Sequence, residues 1–202
     1  MNFRKKLEER WEKVGSLLCV GLDPDFDKLP ESIKGHRYPL FAFNRLIIEN
    51  TADFVCAFKP QIAFYASRSA ENELLMTLDL LHRKYADIPL ILDAKRGDVA
   101  NTAQHYACEV FDRYRADALT VNPYMGGDSL TPFLERTNKG VFILCRTSNP
   151  GSGDIQEINI GTQRLFEIIA QKAAKEWNGG ENVGLVVGAT FPQDLKKIRE
   201  IV

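Results

Sequence analysis

Apolar, β-rich runs alternate with segments of helical spacing along the chain, and this alternation restricts the possible folds most. The runs are apolar almost throughout, which is typical of strands covered on both faces. Such strands separated by helices form parallel α/β sheets or barrels. Strands are predicted over Leu17–Leu22, Phe54–Phe58, Pro89–Leu92, Ala118–Val121, Val141–Cys145 and Val183–Val187. Helices are predicted over Leu40–Ala52, 71–86, 99–114, Gly127–Thr137, 161–177 and Pro192–Ile201.

The number of βα units leaves two architectures open. A closed (β/α)₈ barrel needs eight strands and typically about 250 residues, whereas this sequence has 202 residues. The chain therefore forms either an open α/β sheet or a barrel without its last two strands. No linker or low-complexity tract divides the sequence, so a single domain over residues 1–202 is predicted.

Composition argues against several classes of partner. The formal net charge is −1 and no block of Lys and Arg stands out, so no nucleic-acid or membrane surface is predicted as a partner. No apolar run approaches the length of a membrane span, and the N-terminus is charged without a secretory core, which predicts a cytoplasmic protein. The four cysteines have no CxxC spacing, and we interpret them as reduced core residues.

Charged residues follow three successive strands directly. Asp23 ends the first apolar run, Lys59 the second, and Asp93 and Lys95 the third. In α/β folds the carboxyl ends of the strands are where catalytic groups collect. Residues i and i+2 of a strand face the same side, so Asp93 and Lys95 are expected to lie together. An internal ion pair that only holds the strand end is the alternative.

Alternating lysines and carboxylates favour proton donation. A neighbouring carboxylate keeps an ammonium charged, so it can act as a general acid and as a counter-ion for a developing anion. A lysine for Schiff-base chemistry would instead be desolvated and neutral. Asp98 follows Gly97 and precedes a predicted helix, so a helix N-cap is the alternative role for its carboxylate.

Metal and nucleotide motifs find no support in the sequence. The triplet "DPDFD" (23–27) lacks the glycine and terminal glutamate of an EF-hand, and "NPGSGD" (149–154) fits neither the P-loop nor the Rossmann pattern. The segment "VVGAT" (186–190) is either an anion-binding turn or a tight βα turn. The long connections 23–39 and 146–159 exceed ordinary α/β loops, and the second is predicted to be a lid.

Six segments together resemble the orotidine 5′-phosphate decarboxylase family, in its bacterial long-chain branch. They are "CVGLDPD" (19–25), "FKPQIAFY" (58–65), "ILDAKRGDVANTA" (91–103), "TVNPYMGGDSL" (120–130), "TSNPGSGD" (147–154) and "VGLVVGATFP" (183–192). The resemblance implies a (β/α)₈ barrel and a homodimer with shared active sites. It also implies loss of CO₂ from orotidine 5′-monophosphate to give UMP, with neither metal nor organic cofactor.

The resemblance also implies a role for each matching residue. Lys95 would donate the proton to C6 of the pyrimidine, Asp93 would lie beside the departing CO₂, and Lys59 would orient the network and contact the ribose. Asp98 would reach into the partner subunit's site. The remaining contacts would be Asp23 to a ribose hydroxyl, Thr102 to ribose or phosphate from the partner chain, and Ser148 to the pyrimidine edge from the lid.

Two other functions remain open at this point. Family members continue past Val202 into a glycine-rich segment and a strand whose arginine binds phosphate, so we expect a barrel lacking its last two strands here. Such a chain is alternatively a binding module without activity. A related barrel family acts on sugar phosphates such as 3-keto-gulonate 6-phosphate through magnesium, but there an acidic metal ligand is expected where this chain has Lys59.

Overall fold

The computed structural model describes residues 2–202, and for Ala100 only the backbone. The strands are β1 (Cys19–Leu22), β2 (Ala57–Pro60), β3 (Ile91–Arg96), β4 (Ala118–Val121), β5 (Gly140–Arg146), β6 (Asn159–Ile160), β7 (Gln163–Arg164) and β8 (Val183–Val187). The helices are α1 (Phe3–Val14), α2 (Glu31–Lys34), α3 (Pro39–Thr51), α4 (Ala63–Ala66), α5 (Glu71–Lys84), α6 (Ala100–Cys108), α7 (Gly127–Leu134), α8 (Gly153–Gln156), α9 (Leu165–Lys175) and α10 (Pro192–Ile201).

The chain divides into two compact units. The first comprises the described residues up to Ala94 together with Glu109–Leu119, and the second comprises Lys95–Cys108 and Thr120–Val202. Strands β3 and β4 each have residues in both units. The prediction of a single domain over residues 1–202, whose Met1 lies outside the described residues, stays a prediction.

In the first unit, strands β1, β2 and the start of β3 run parallel and line one side of the apolar core. β1 and β2 pair in parallel, with Gly21 opposite Lys59, and bridges Phe58↔Leu90 and Gln61↔Asp93 continue the parallel arrangement. Apolar side chains from these strands and from α3 and α5 are fully buried, among them Leu22, Ile48, Phe58, Leu74 and Leu92. The buried Asn44 of α3 donates to the Tyr65 hydroxyl (2.7 Å) and to Thr77 (3.0 Å), as buried polar groups require.

In the second unit, helices cover a parallel pair of strands. The larger sheet has the strand order β3-β4-β5-β8, and β5 pairs with β8 in parallel from Val141↔Val183 onward. The register shifts at the end of this pair, where Arg146 lies opposite Val187. Helices α9 and α10 contribute Phe166, Ala170 and Ile198 to a buried apolar cluster with Cys145 of β5.

The predicted elements are largely present, with informative differences in length. The predictions for β4 and β8 are confirmed at both ends, and the prediction for α10 likewise. β2 begins only at Ala57, because Ala52–Phe54 form a 3₁₀ turn, and β3 runs on through its charged residues to Arg96. The helix predicted from residue 161 begins at Leu165, since residues 159–164 form the β6–β7 hairpin around Gly161, which has φ +63°.

Other differences concern the helical segments and the cysteines. The helix predicted over 99–114 ends as an α-helix at Cys108 and continues as a π-helix over Glu109–Arg113. The α1 helix and the short helices inside the two long connections were not predicted. All four cysteines are free, but Cys19 is exposed, so its assignment to the core is wrong.

Candidate active site

In the first unit, an ion pair joins the ends of two neighbouring strands. The Lys59 ammonium of β2 donates to the Asp93 carboxylate of β3 over 3.0 Å. The Asp93 side chain is 11% exposed and that of Lys59 is 31% exposed, so the pair is largely withdrawn from water. Parallel pairing of β2 with the β3 segment, through the Gln61↔Asp93 bridge, brings the two groups to the same height.

The electrostatics of this pair keep the ammonium charged. Burial by itself lowers the pKa of Lys59, but the charge and hydrogen bond of Asp93 and the charge of Asp23 outweigh it. The pKa of Lys59 is therefore held above its ordinary value of 10.5. At neutral pH the group is an ammonium, as the alternation of lysines and carboxylates predicts.

Asp23 follows β1 and lies near the same ammonium. Its carboxylate folds back over Gly21, where an added Cβ would come within 3.5 Å of Asp23 Oδ2. The preceding carbonyl, that of Leu22, accepts a hydrogen bond of 3.0 Å from the buried Tyr65 hydroxyl. The first unit thus brings Asp23, Lys59 and Asp93 together, three of the predicted site residues.

Lys95, in the second unit, has an unusual backbone. Its φ is +47°, in the left-handed region, although it lies on strand β3. This conformation is strained for any residue with a Cβ. The Lys95 N–H donates to the Oγ1 of the buried Thr120 over 3.0 Å, which helps to fix it. The left-handed φ interrupts the regular alternation of the strand, and the Lys95 residue is exposed, not interior to the sheet. That Asp93 and Lys95 lie together stays a prediction.

Asp98 and Thr102 come shortly after the end of strand β3 in the chain. The Arg96 carbonyl accepts the Asn122 N–H over 2.8 Å, and a Cβ at Gly97 would meet the Asn122 carbonyl oxygen at the same distance. Only glycine fits so close to another backbone. Asp98 Oδ1 accepts the N–H of Val99 at 2.7 Å, and since α6 begins at Ala100, Asp98 lies one residue before the N-cap position. Thr102 is half-buried on α6.

Ser148 lies in the connection after β5. The residue is exposed, and its backbone and Cβ lie against Gly188 at the end of β8. A Cβ at Gly188 would come within 2.9 Å of the Ser148 Cβ. The Gly188 N–H also donates to the Arg146 carbonyl over 2.7 Å. Two roles were open for the "VVGAT" segment. In the structure its Gly188 brings the end of β8 close to the end of β5.

Sequence reasoning missed Arg146. It ends an apolar strand, the same signal that drew attention to Lys59 and Asp93, and the structure places it among carboxylates with 1% of the residue exposed. In the "DPDFD" triplet, Asp25 makes local contacts: it caps the 3₁₀ turn Phe26–Lys28 and pairs with Lys28 at 2.9 Å. Within residues 2–202 as described, no group of three or more His, Cys, Asp or Glu side chains is placed to hold a metal ion.

The family model described as Orotidine 5′-phosphate decarboxylase / HUMPS family matches residues 16–202. The chain belongs to this family. A protein of Dechloromonas aromatica named orotidine 5′-phosphate decarboxylase is 52% identical over 202 residues, covering 100% of this chain and 75% of the relative. A protein of the same name from Ralstonia pickettii is 50% identical, with 100% and 74% covered.

The solved structures agree with the sequence relatives. The structure of Leishmania donovani OMP decarboxylase superimposes with a TM-score of 0.89 at 40% identity, covering 99% of this chain and 76% of that one. The solved neighbours are TIM barrels, so the predicted (β/α)₈ class is confirmed over an open α/β sheet. The predicted family is confirmed, as is the enzyme class, which converts orotidine 5′-monophosphate to UMP in pyrimidine biosynthesis. Among the described residues, no helix is both long and apolar enough to cross a membrane.

Proposed function

We propose that this protein decarboxylates orotidine 5′-monophosphate to UMP and CO₂, with Lys95 as the proton donor to C6. The bond from C6 to the carboxylate breaks, CO₂ leaves, and the electron pair remains on C6. That carbanion has no π-system to delocalise it, so a fixed ammonium is its most effective stabiliser. Lys95 then gives its proton to C6 and is reprotonated from solvent.

The observation that carries this proposal is the Lys59–Asp93 ion pair of 3.0 Å at the strand ends. The Asp93 carboxylate of this pair lies two residues before the proposed acid Lys95 in the sequence, which supports the proposal. The same observation disfavours a magnesium-dependent sugar-phosphate reaction, because an ammonium occupies the strand position where an acidic metal ligand is expected. No metal or organic cofactor is needed for the proposed step.

The other residues bind and orient the substrate. In the proposal Lys59 orders the charged network and contacts the ribose, and Asp23 accepts a hydrogen bond from a ribose hydroxyl. Ser148 reads the pyrimidine edge. Asp98 and Thr102 serve the site of the partner subunit in a homodimer located in the cytoplasm. Asp93 would contribute repulsion toward the substrate carboxylate only where the two approach closely.

Replacement of Lys95 tests the acid directly. Lys95→Ala should lower the decarboxylation rate by at least about 10²–10⁴-fold, the usual contribution of a general acid, measured by the loss of orotidylate absorbance. Circular dichroism and retained binding of UMP or 6-azauridine monophosphate establish that the fold is intact. Lys84→Ala, which removes an exposed lysine at the end of α5, is the matched control.

Each outcome has a clear meaning. Near-normal turnover in Lys95→Ala would refute the role of Lys95 as the acid. Binding of the nucleotides by the unaltered protein without any turnover would instead identify a binding module and contradict the enzymatic proposal.

A further inference from the structure

Arg146, at the end of β5, is the largest of the fully buried side chains, with 1% of the residue exposed. Its guanidinium donates in three directions: Nε to Asp194 Oδ2 (3.0 Å), Nη1 to Ser152 Oγ (2.5 Å) and Nη2 to Glu157 Oε1 (2.6 Å). The ring of Phe191 lies 3.8 Å from its Cζ, in a cation–π contact. A buried charge with this many partners fixes the relative positions of the segments that supply them.

Those partners belong to two different segments. Ser152 and Glu157 lie in the connection after β5, residues 147–158, here called the lid segment. Phe191 and Asp194 lie at the start of α10, just after β8. The guanidinium therefore joins the lid segment to the start of α10, just after the neighbouring strand β8.

The lid segment is also closed on itself. The Thr147 N–H donates to Gln156 Oε1 over 2.8 Å, and Gln156 Nε2 donates to Thr147 Oγ1 over 2.8 Å. These bonds join the start of the lid segment to residue 156 near its end, so the segment is closed into a loop next to Arg146.

The charges around Arg146 are balanced. Asp194 also accepts from Arg164 Nη2 at 2.7 Å, and the buried Glu167 pairs with Lys197. With Glu157 this makes three cations and three carboxylates: Arg146, Arg164, Lys197, Glu157, Glu167 and Asp194. Because removal of one partner leaves a buried charge uncompensated, the cluster favours a single arrangement.

Ser148 lies within this construction. It is two residues from Arg146, whose carbonyl is held by the Gly188 N–H, and it packs against Gly188 itself. Ser152, four residues further on, receives the Nη1 hydrogen bond. Ser148 is therefore held on one side by backbone contacts with Gly188 and on the other by the segment up to Ser152, whose hydrogen bond depends on the Arg146 side chain.

We propose that Arg146 is a positioning residue: its guanidinium holds the root of the lid segment so that Ser148 meets the pyrimidine edge of the substrate. This inference rests on the proposed function for the role of Ser148, but the fixing of the lid segment is independent of it. Arginine is required because three partners in diverging directions match a planar fork of donors and not a single ammonium.

The experiment compares Arg146→Ala and Arg146→Lys with the unaltered protein. Amide hydrogen exchange of residues 147–158 should accelerate by about tenfold or more in both variants, since local opening replaces a fixed root. The kcat/KM for decarboxylation should fall by about tenfold or more, mainly through KM, because binding contacts are lost. Added guanidinium ion should restore part of the loss in Arg146→Ala but not in Arg146→Lys, where a side chain fills the space.

A control separates positioning from general stability. Arg10→Lys alters another buried arginine, 6% exposed, in the first unit. It should lower the melting temperature while exchange over 147–158 and KM stay unchanged. If Arg146→Ala behaves like this control, with no selective change in the lid segment and no rescue, Arg146 is only a structural ion pair and the proposal is overturned.

A second variant covers failure of Arg146→Ala to fold. Glu157→Gln removes the charge of one of the two Arg146 partners on the lid segment, and the Glu157 side chain is 42% exposed, so the core is spared. Selective acceleration of exchange around residues 155–158 supports the proposal, and unchanged exchange contradicts it. Exchange is measured without turnover, so absence of decarboxylation in the unaltered protein would refute the proposed function and leave the exchange result decisive for Arg146.

Discussion

Lys95 combines a side chain predicted to donate a proton with a backbone in the left-handed region, at φ +47°. Strain of this kind costs an L-residue about 1–2 kcal/mol and persists where the surrounding structure enforces it. Here the hydrogen bond to Thr120 and the short approach of Gly97 to Asn122 supply that enforcement.

A glycine at this position tests for the strain. Lys95→Gly and Lys95→Ala both remove the ammonium, but only glycine adopts a positive φ without cost. The free energy of unfolding, from urea titration, should be about 1 kcal/mol larger for Lys95→Gly than for Lys95→Ala. Equal stabilities of the two variants would mean that the left-handed conformation stores no strain.

Gly188 is a second residue whose lack of a side chain matters. In Gly188→Ala the new Cβ would lie 2.9 Å from the Ser148 Cβ, a distance that forces Ser148 to move. We expect KM for orotidine 5′-monophosphate to rise by about tenfold, the effect of losing one good substrate contact. Gly179→Ala is the control, because a Cβ there meets nothing within 4 Å. An unchanged KM in Gly188→Ala would mean that Ser148 does not contact the substrate.

At the scale of elements, the buried Arg10 is one of the residues that attach α1 to the rest of the first unit. Its Nε donates to the Val55 carbonyl (3.0 Å), its Nη1 to Asp87 (2.9 Å), and its Nη2 to the Ala52 carbonyl. Lys13, one turn further on, pairs with the same Asp87 at 2.8 Å. Asn2 is the N-cap of this helix, and Gly15, with φ +61°, is its C-cap.

The attachment of α1 predicts a dependence of stability on pH. The hydrogen bond from Lys13, with the charges of Arg10 and Lys13, lowers the pKa of Asp87 below its ordinary value of 3.8 despite partial burial. A carboxyl group with a lowered pKa in the folded state stabilises that state above pH 3.8 and loses this effect as the pH falls through its folded-state pKa.

Asp87→Asn should therefore have a melting temperature about 2–4 °C lower at pH 7, since a half-exposed pair contributes at most about 1 kcal/mol. Scanning calorimetry should show this difference shrinking as the pH is lowered below 3.8. The control Asp79→Asn removes an exposed pair within α5 and should change little. A difference that stays constant down to pH 2 would exclude the carboxylate as its cause.

Elements were predictable where periodicity alone decides them. The apolar runs of β4 and β8 and the helix α10 follow directly from the residue pattern. Periodicity failed where a tertiary or local feature overrides it: the hairpin at Gly161 interrupts a helical pattern, and the π-helix at Glu109–Arg113 alters a helical period. The predicted apolar run of β3 ended at Leu92, because charged residues are uncommon in a strand interior, although strand geometry was expected for Asp93 and Lys95, and β3 does run on through both.

At the scale of the whole molecule, the proposed homodimer has a direct test. If Asp98 serves the partner's site, Lys95→Ala and Asp98→Ala chains are each inactive, but a mixed dimer has one site with both residues intact. Random pairing of equal amounts gives half mixed dimers, so about a quarter of the original activity should return. The assay mixes the two variants after brief partial unfolding. Absence of any recovery would indicate a site built from a single chain.

The candidate site was predictable in its residue types and only partly in its geometry. Asp23, Lys59 and Asp93 were expected at one edge because parallel strands bring their carboxyl ends together, and the structure places them so. The left-handed turn at Lys95 and the buried position of Arg146 depend on contacts with residues distant in sequence, Thr120 and Asp194, which no local pattern contains.

The charged cluster around Arg146 also determines how the lid segment responds to heat. The cost of withdrawing ions from water falls as temperature rises, because ionic hydration becomes less favourable, while the gain from apolar burial levels off. A loop root held by three cations and three carboxylates thus gains relative to the apolar core on warming. The part of the chain that looks most like a mobile loop should therefore remain ordered until the whole protein melts.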